Sequence, residues 1–311
     1  MEWEKRERRM IRRFIALVDL SGPLLKRRVK YIPTASAIYL RLVTLDLAVE
    51  VLSNRHLSSE YNVLAIAAPE IARQALPGQF VMVKAGDPLE PLLRRPFSVF
   101  EVLKDNGNIL GLSLLSKRIG RSTRLLFDAR PGDLIRCLGP LGRPFAPVAA
   151  PDEAWLVAGG VGLAPFAALA ETLRARGVSV KLYYGARRGD ELFHLDEFGA
   201  MGVDLVLTTE DGSRGETGRV TIPLERDLRA RPRDRNVMLY ACGPEPMLAA
   251  VAKLSAACDT PCQVSVERVM GCGVGGCYSC VIPVKTTEGK WHHVRSCLAG
   301  PVFRSDQVRW Q

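Results

Sequence analysis

No uninterrupted apolar run approaches the roughly eighteen residues that a bilayer-crossing helix needs, so no transmembrane segment is expected in these 311 residues. No nucleic-acid-binding motif is present, which leaves the basic balance of the chain without a nucleic-acid reading. No signal peptide is recognisable, and half of the eight cysteines fall in one short stretch. That usage reads as metal binding in a reducing, cytoplasmic compartment rather than as a disulfide framework. The paired C-x2-C spacing of an ordinary zinc site is also missing. With 47% hydrophobic residues the chain can bury a core without staples, and its length allows about two or three domains.

The formal net charge of +10 is uneven. Residues Met1 to Asp46 hold eleven Lys or Arg against five Asp or Glu, so most of the excess is N-terminal. The opening MEWEKRERRMIRRFIALVDL has the pattern of a basic amphipathic helix, which suits a membrane surface. Glu2, Glu4 and Glu7 argue against an organellar transit peptide, which is acid-poor. The competing expectation for residues 1–46 is a disordered extension, or a segment absent from the native protein.

From about Leu47 to Phe145 the texture is one of short alternating runs separated by turn residues, which predicts a small antiparallel β-barrel. AVEVLSNRHLSSEYNVLAIAAP reads as two strands, and RRPFSVFEVL reads as one. Within the last run, Arg95-Pro96-Phe97-Ser98 offers a guanidinium for a phosphate and an aromatic ring for a planar ligand. An exposed Arg beside a core Phe explains the same four residues. Ser116, Lys117, Arg118, Ser122 and Thr123 read as the opening of a helix, whose free N–H groups and hydroxyls suit an anion.

A strand, turn and helix follow in AWLVAGGVGLAPFAALAETLRARG. The turn, with Gly159, Gly160, Gly162 and Pro165, is not the G-x-G-x-x-G fingerprint, yet it keeps that motif's physics. Glycines let a diphosphate approach the backbone, and a helix N-terminus faces it. SVKLYYGAR, VDLVLTTED and NVMLYACGP add three apolar strands, predicting a parallel sheet with ligands at its carboxyl edge, where Cys242, Gly243 and Pro244 lie. Arg187 and Arg188 suit a 2'-phosphate, whereas Asp190 and Glu191 suit a ribose hydroxyl, so NAD and NADP are not distinguished.

The densest chemistry is C-terminal. Cys272, Cys277 and Cys280 are spaced C-x4-C-x2-C, and Cys297 follows after sixteen residues, an arrangement that wraps a 2Fe-2S cluster. Gly271, Gly273, Gly275 and Gly276 free the loop to turn tightly around it. His292 and His293 lie near Cys297 as spare donors, but four thiolates already complete the set.

A sequence bearing RPFS, GGVGLAP and CGP in that order resembles the ferredoxin-NADP reductase superfamily. The cysteine pattern followed by Gly300-Pro301-Val302-Phe303 resembles one branch, the electron-transfer subunits of NAD-dependent, class 1B dihydroorotate dehydrogenases. The resemblance spans about Val49 to Phe303. It implies three parts after the extension: an FAD-binding barrel over 47–147, an NAD-binding α/β domain over 148–256, and a 2Fe-2S domain over 257–311. It implies that Arg95 to Ser98, Ser116 to Arg118, and Ser122 and Thr123 contact FAD. Ser116 stands where the family often has an aromatic residue and Ser122 where glycine is usual. The glycine turn and Cys242 to Pro244 would hold NAD, and the four cysteines would hold the cluster. No substrate acid or base is expected on this chain. The implied partner is an FMN-containing catalytic subunit in a heterotetramer of two of each, serving pyrimidine biosynthesis. Val274, Tyr278 and Val281 would either meet that partner or pack around the cluster. The alternatives are a flavin subunit of a ferredoxin-NAD(P) reductase or hydrogenase-type complex and, more distantly, a zinc-bound interaction module.

Overall fold

Alternating burial begins at Leu45 and carries β1 to His56, and a tight loop returns the chain as the fully buried β2, Tyr61–Ile66. A computed structural model describes residues 44–86, 91–146, 151–232, 234–286 and 288–310, so the basic helix expected at the N-terminus lies outside the described residues. The short helix α1 is Pro69–Ala72, and strands β3 (Phe80–Lys84), β4 (Arg95–Ser98), β5 (Glu101–Asp105), β6 (Asn108–Lys117) and β7 (Leu134–Leu141) complete the first sheet. Its order is β4-β3-β7-β1-β2-β6-β5, antiparallel throughout.

RRPFSVFEVL is not one strand. Val99 and Phe100 are buried in succession, which breaks the two-residue period of a strand. The chain there steps from one edge of the sheet to the other: Val99 N–H donates to the Gln79 carbonyl and Phe100 N–H to the Ser113 carbonyl. Among the described residues no ladder joins β4 to β5, so this crossing, rather than a closed barrel, brings the two edges together. Helix α2, Arg121–Asp128, follows β6. Ser116 and Lys117 are therefore the last residues of a strand and not a helix start.

The second sheet comprises β8 (Glu153–Gly159), β9 (Ser179–Ala186), β10 (Asp204–Thr209), β11 (Glu216–Thr217), β12 (Val237–Cys242) and β13 (Cys262–Ser265). Helices α3 (Phe166–Ala175), α4 (Leu195–Ala200), α5 (Thr221–Ala230) and α6 (Glu245–Ala257) run between them. All six strands are parallel, in the order β11-β10-β9-β8-β12-β13. A hairpin, β14 (Val281–Lys285) with β15 (Trp291–Arg295), and the turn of helix α7 (Ser296–Ala299) then lead to β16 (Val302–Arg304), which pairs antiparallel with β13. Two strands from the segment after residue 257 thus extend the parallel sheet. Among the described residues no helix is long and apolar enough to cross a membrane.

Packing welds the parts. One apolar cluster joins Phe100, Leu115 and Phe145 of the first part to Leu156, Phe166 and Tyr240 of the second. Another sets Ile282, Val284 and Phe303 against Val157, Leu239 and Val251. A third holds Phe80, Met82, Leu141, Met270, Cys280 and Cys297 together, so the cysteine segment leans on both sheets.

A polar contact reinforces the first seam. His194 is buried, its Nδ1 lies 3.1 Å from Glu197 and 3.5 Å from Arg55 of β1, and its ring meets Phe100 edge-on. Burial is the main cause that lowers the His194 pKa, which disfavours the charged ring. The folded form then binds fewer protons than the unfolded chain, so this contribution is complete above the ordinary histidine pKa and is lost as pH falls through the depressed value. Thermal unfolding followed from pH 8 to pH 5 is expected to show a falling midpoint, with a shallower fall in His194→Gln.

Candidate functional site

A cleft of about 800 Å³ opens where the two sheets meet the cysteine segment. Cofactor sites commonly span roughly 300 to 1,000 Å³. One wall is β4, with Arg95, Pro96, Phe97 and Ser98, and the next is the end of β6 with the start of α2: Ser116, Lys117, Ser122 and Thr123. Opposite stand Val161 and Ala164 of the glycine turn, Cys242 at the end of β12, and the stretch from Ser265 to Met270 after β13.

The walls fit a large polar and planar ligand. Ser116 Oγ and Ser122 Oγ are buried and, among the described residues, have no hydrogen-bond partner, a costly state unless a ligand supplies one. Thr123 is spent locally: its hydroxyl accepts from Ile119 N–H at 2.9 Å and Gly120 N–H at 3.0 Å, and so shapes the helix start. With Gly120 as N-cap, no side chain caps this helix end. Its first N–H groups therefore remain for an anion. The Arg95 guanidinium folds onto the Leu93 and Arg94 carbonyls at 3.0 Å at the rim. Phe97 backs onto the core of the first sheet.

Two expected contacts are otherwise engaged. Lys117 lines the cleft, but its ammonium lies 3.5 Å from Glu191, 3.6 Å from Glu60 and over the Tyr61 ring. Arg118 is absent from the lining and stacks its guanidinium over Phe127, 4.8 Å from the ring centre.

The glycine turn meets the CGP turn directly. A Cβ on Gly162 would run into the Cys242 carbonyl and come within 2.7 Å of the Gly243 amide nitrogen. One on Gly159 would come within 3.0 Å of Pro244, and one on Gly243 within 3.1 Å of the Gly159 nitrogen. Gly162 is required by backbone against backbone, whereas Gly159 faces the Met247 and Pro244 side chains and Gly243 faces both the Met247 side chain and the Gly159 backbone. Gly160 differs, with φ +54° and open space around it, which leaves its backbone free to approach a ligand. Pro165 sits at the N-cap of α3. Gly159, Gly160, Gly162, Pro165, Gly243 and Pro244 do not line this cleft. At the edge of β9, Arg188 is tied to Asp190 by two bonds of 3.0 Å, and Glu191 is taken by Lys117.

Sequence reasoning missed Phe80, Glu267, Arg268 and Met270 in the cleft. Arg268 forms a two-pronged pair with Glu245 at 2.6 and 2.9 Å, so among the described residues no ion pair engages Glu267. Glu267 as a residue is exposed, but partial desolvation of its carboxyl in the cleft lining raises its pKa. The available signal was its position just beyond β13, at the ligand edge of a parallel sheet.

The four cysteines come together from the loop after Met270 and from α7. Among the described residues no three His, Cys, Asp or Glu side chains are grouped as a single ion would require. The thiols interact in two pairs, Cys277 with Cys272 and Cys297 with Cys280, and Cys272 also acts on Cys297. A two-iron cluster takes two thiolates on each iron, so the donor set fits it. Gly276 N–H donates to Cys272 Sγ at 3.2 Å, and the Ser279 hydroxyl lies 3.1 Å from Cys277 Sγ. Ser279 is the main cause holding the exposed Cys277 thiol down to about 6, toward the thiolate a metal needs. Burial, and then Cys280, push the Cys297 thiol up to about 12. His292 and His293 are exposed on β15. Val274 and Tyr278 are also exposed, at 49% and 63%, and Val281 is half-buried.

A dihydroorotate dehydrogenase B (NAD(+)) electron transfer subunit from Desulforamulus reducens is 38% identical over 244 residues, 78% of this chain and 90% of that protein. One from Bacillus caldolyticus is 39% identical over 260 residues, 83% of this chain and 96% of its own. This chain belongs to that family. The family model for the iron-sulfur cluster binding domain of dihydroorotate dehydrogenase B matches residues 267–309, which include all four cysteines. The oxidoreductase NAD-binding domain matches residues 156–253. Like other members of the ferredoxin-NADP reductase superfamily, this family member shares its fold with solved reductases. The structure of an NADH-dependent reduced ferredoxin-NADP oxidoreductase, from work on flavin-based electron bifurcation, aligns with a TM-score of 0.72 at 28% identity. It covers 85% of this chain and 90% of that one. A ferredoxin NADP+ reductase from Neisseria gonorrhoeae with bound FAD and NADP aligns at 0.58, covering 68% of this chain and 91% of that one; at 19% identity this speaks for the fold alone.

Proposed function

We propose that this chain carries electrons from an FMN-containing, dihydroorotate-oxidising catalytic subunit to NAD+, through a 2Fe-2S cluster and FAD, in pyrimidine biosynthesis. FAD exchanges a pair of electrons with a nicotinamide as hydride and single electrons with an iron-sulfur cluster, and the protein positions these groups. Cys272, Cys277, Cys280 and Cys297 hold the cluster. Arg95 to Ser98, Ser116, Ser122 and the N–H groups at the start of α2 hold FAD, with the two unpaired hydroxyls as donors. Gly160, Cys242 and the edge of β9 receive NAD. Arg118, stacked on Phe127, is assigned no direct contact.

The observation that carries this reading is a shared apolar wall. Phe80 and Met270 line the cleft, and both pack in the same buried cluster as Cys280 and Cys297. They form a dry, close-packed partition between the flavin cleft and two of the four thiols. Met270→Ala is expected to slow electron passage from NADH to the cluster on the order of tenfold, about 1.4 kcal/mol in the barrier. Flavin bleaching should stay fast while cluster bleaching lags in rapid-mixing absorbance. Equal slowing of both phases would count against the partition.

The exposed loop side chains Val274 and Tyr278 meet the catalytic subunit, in a complex of two of each chain located in the cytoplasm. Co-expression with an FMN-containing dihydroorotate dehydrogenase tests the whole reading. A co-purifying pair that reduces NAD+ on addition of dihydroorotate is the expected result, and absence of both pairing and coupling would overturn it.

A further inference from the structure

We propose that Arg295 is a positioning residue for the cysteine loop and sets the reduction potential of the cluster that the loop holds. The proposal rests on reading the four cysteines as cluster ligands.

Arg295 is the last residue of β15, two residues before Cys297, yet it acts on the other end of the ligand set. Its Nη1 donates to the Gly275 carbonyl at 2.7 Å, across twenty residues of sequence, between Cys272 and Cys277. Its guanidinium also lies over the Tyr278 ring, 4.7 Å from the centroid, beside Cys277. One half-buried cation therefore ties the segment carrying the fourth cysteine to the loop carrying the first three.

The residues it grips are ones that need gripping. Gly275 has φ +84° and Tyr278 has φ +58°, a left-handed backbone that costs a side-chain-bearing residue roughly 1 to 2 kcal/mol. A Cβ on Gly275 would strike Leu298 of α7, so the loop lies flush against the helix that carries Cys297. The Tyr278 ring is 63% exposed and would lose its place without a partner. A guanidinium over an aromatic face supplies one, and the planar fork reaches a carbonyl at the same time. Lysine can keep the charge but not both contacts.

The electrostatic consequence has a definite sign. Taking up one electron adds a negative charge to an iron-sulfur cluster, and a fixed cation nearby favours that state. The potential of such clusters follows local charge, hydrogen bonding and exposure. Arg295 thus raises the midpoint potential, which favours acceptance of electrons from the partner. It also holds Tyr278 out on the surface where they arrive.

The experiment uses the full chain, with three proteins compared: wild type, Arg295→Gln and Arg295→Lys. Iron and labile sulfide are measured first on wild type; their absence would remove the ligand reading itself, before Arg295 is at issue. With the cluster present, EPR-monitored redox titration of Arg295→Gln should give a lower midpoint potential, and a ferrous chelator should strip its iron severalfold faster. Arg295→Lys should keep a potential near that of wild type while losing iron as fast as Arg295→Gln. Unchanged potential and iron retention in Arg295→Gln would overturn the proposal. Loss of the cluster from either variant with FAD retained upholds the lock. Loss of both cofactors from both variants marks a folding residue only, and also overturns it.

Discussion

Cys280→Ser is expected to abolish electron transfer to and from the catalytic subunit while leaving NADH oxidation by flavin-level acceptors near its original rate. Cys280 is 2% exposed and packs with Phe80, Met82, Leu141, Met270 and Cys297, on the apolar side of the ligand set. A serine there removes a soft thiolate donor and leaves a hydroxyl among apolar groups. Losing even a supporting group around a metal typically costs about 10- to 100-fold, so loss of a ligand should cost roughly 100-fold or more. The cleft loses no wall, because Cys280 is not part of its lining. The measurements are dihydroorotate-dependent NAD+ reduction in the complex, and NADH-dependent reduction of a dye by the subunit alone. Parallel loss of both would contradict the separation of the cluster from the flavin site.

Gly162→Ala should have the second largest effect, and on the opposite half of the reaction. The added Cβ meets the Cys242 carbonyl and the Gly243 amide, both backbone atoms at the ends of packed elements, so neither can rotate away. Overpacking of this kind costs about 1 to 3 kcal/mol. It forces apart the two turns that flank the proposed nicotinamide site. The expected result is a higher KM for NADH, with FAD content unchanged and a melting midpoint lower by several degrees. Gly177→Ala, just after α3 and outside the cleft lining, is the control: its Cβ meets nothing, and its cost is the left-handed backbone alone, roughly 1 to 2 kcal/mol. A KM unchanged in Gly162→Ala would show that the contact between the turns does not shape the site.

These two residues mark different degrees of legibility. The cysteine spacing is local chemistry: four soft donors at set intervals among glycines state their purpose wherever the loop sits. The glycine turn is half legible. Its sequence promises flexible backbone, but whether each glycine faces a ligand or another strand depends on where Cys242 lands. Ser116 shows the limit in a single position. Its hydroxyl stays unpaired in the cleft wall, yet it lies at the end of β6 and not at the head of a helix. The run Asn108 to Lys117 is buried without a break from Gly111 to Ser116 and pairs with β2 up to Lys117, which carries the strand to its last residue. RRPFSVFEVL failed for a related reason. Two successive buried residues, Val99 and Phe100, interrupt a pattern whose composition still favours a strand.

By itself, the sequence determined the kinds of chemistry present: a cluster-binding loop, a nucleotide-type parallel sheet with glycines at its edge, and an antiparallel sheet before it. Periodicity, turn residues and ligand spacing act over a few residues, so they survive reading in one dimension. The tertiary structure alone decided how those sites are connected. Phe80 and Met270 lie far apart in sequence and carry no motif, yet they form the partition between cleft and cysteines. Arg295 reaches back twenty residues to Gly275, and Glu191 leaves the nucleotide edge to hold Lys117. Such contacts arise from close packing of distant segments, where position in the fold rather than residue type sets what a side chain touches.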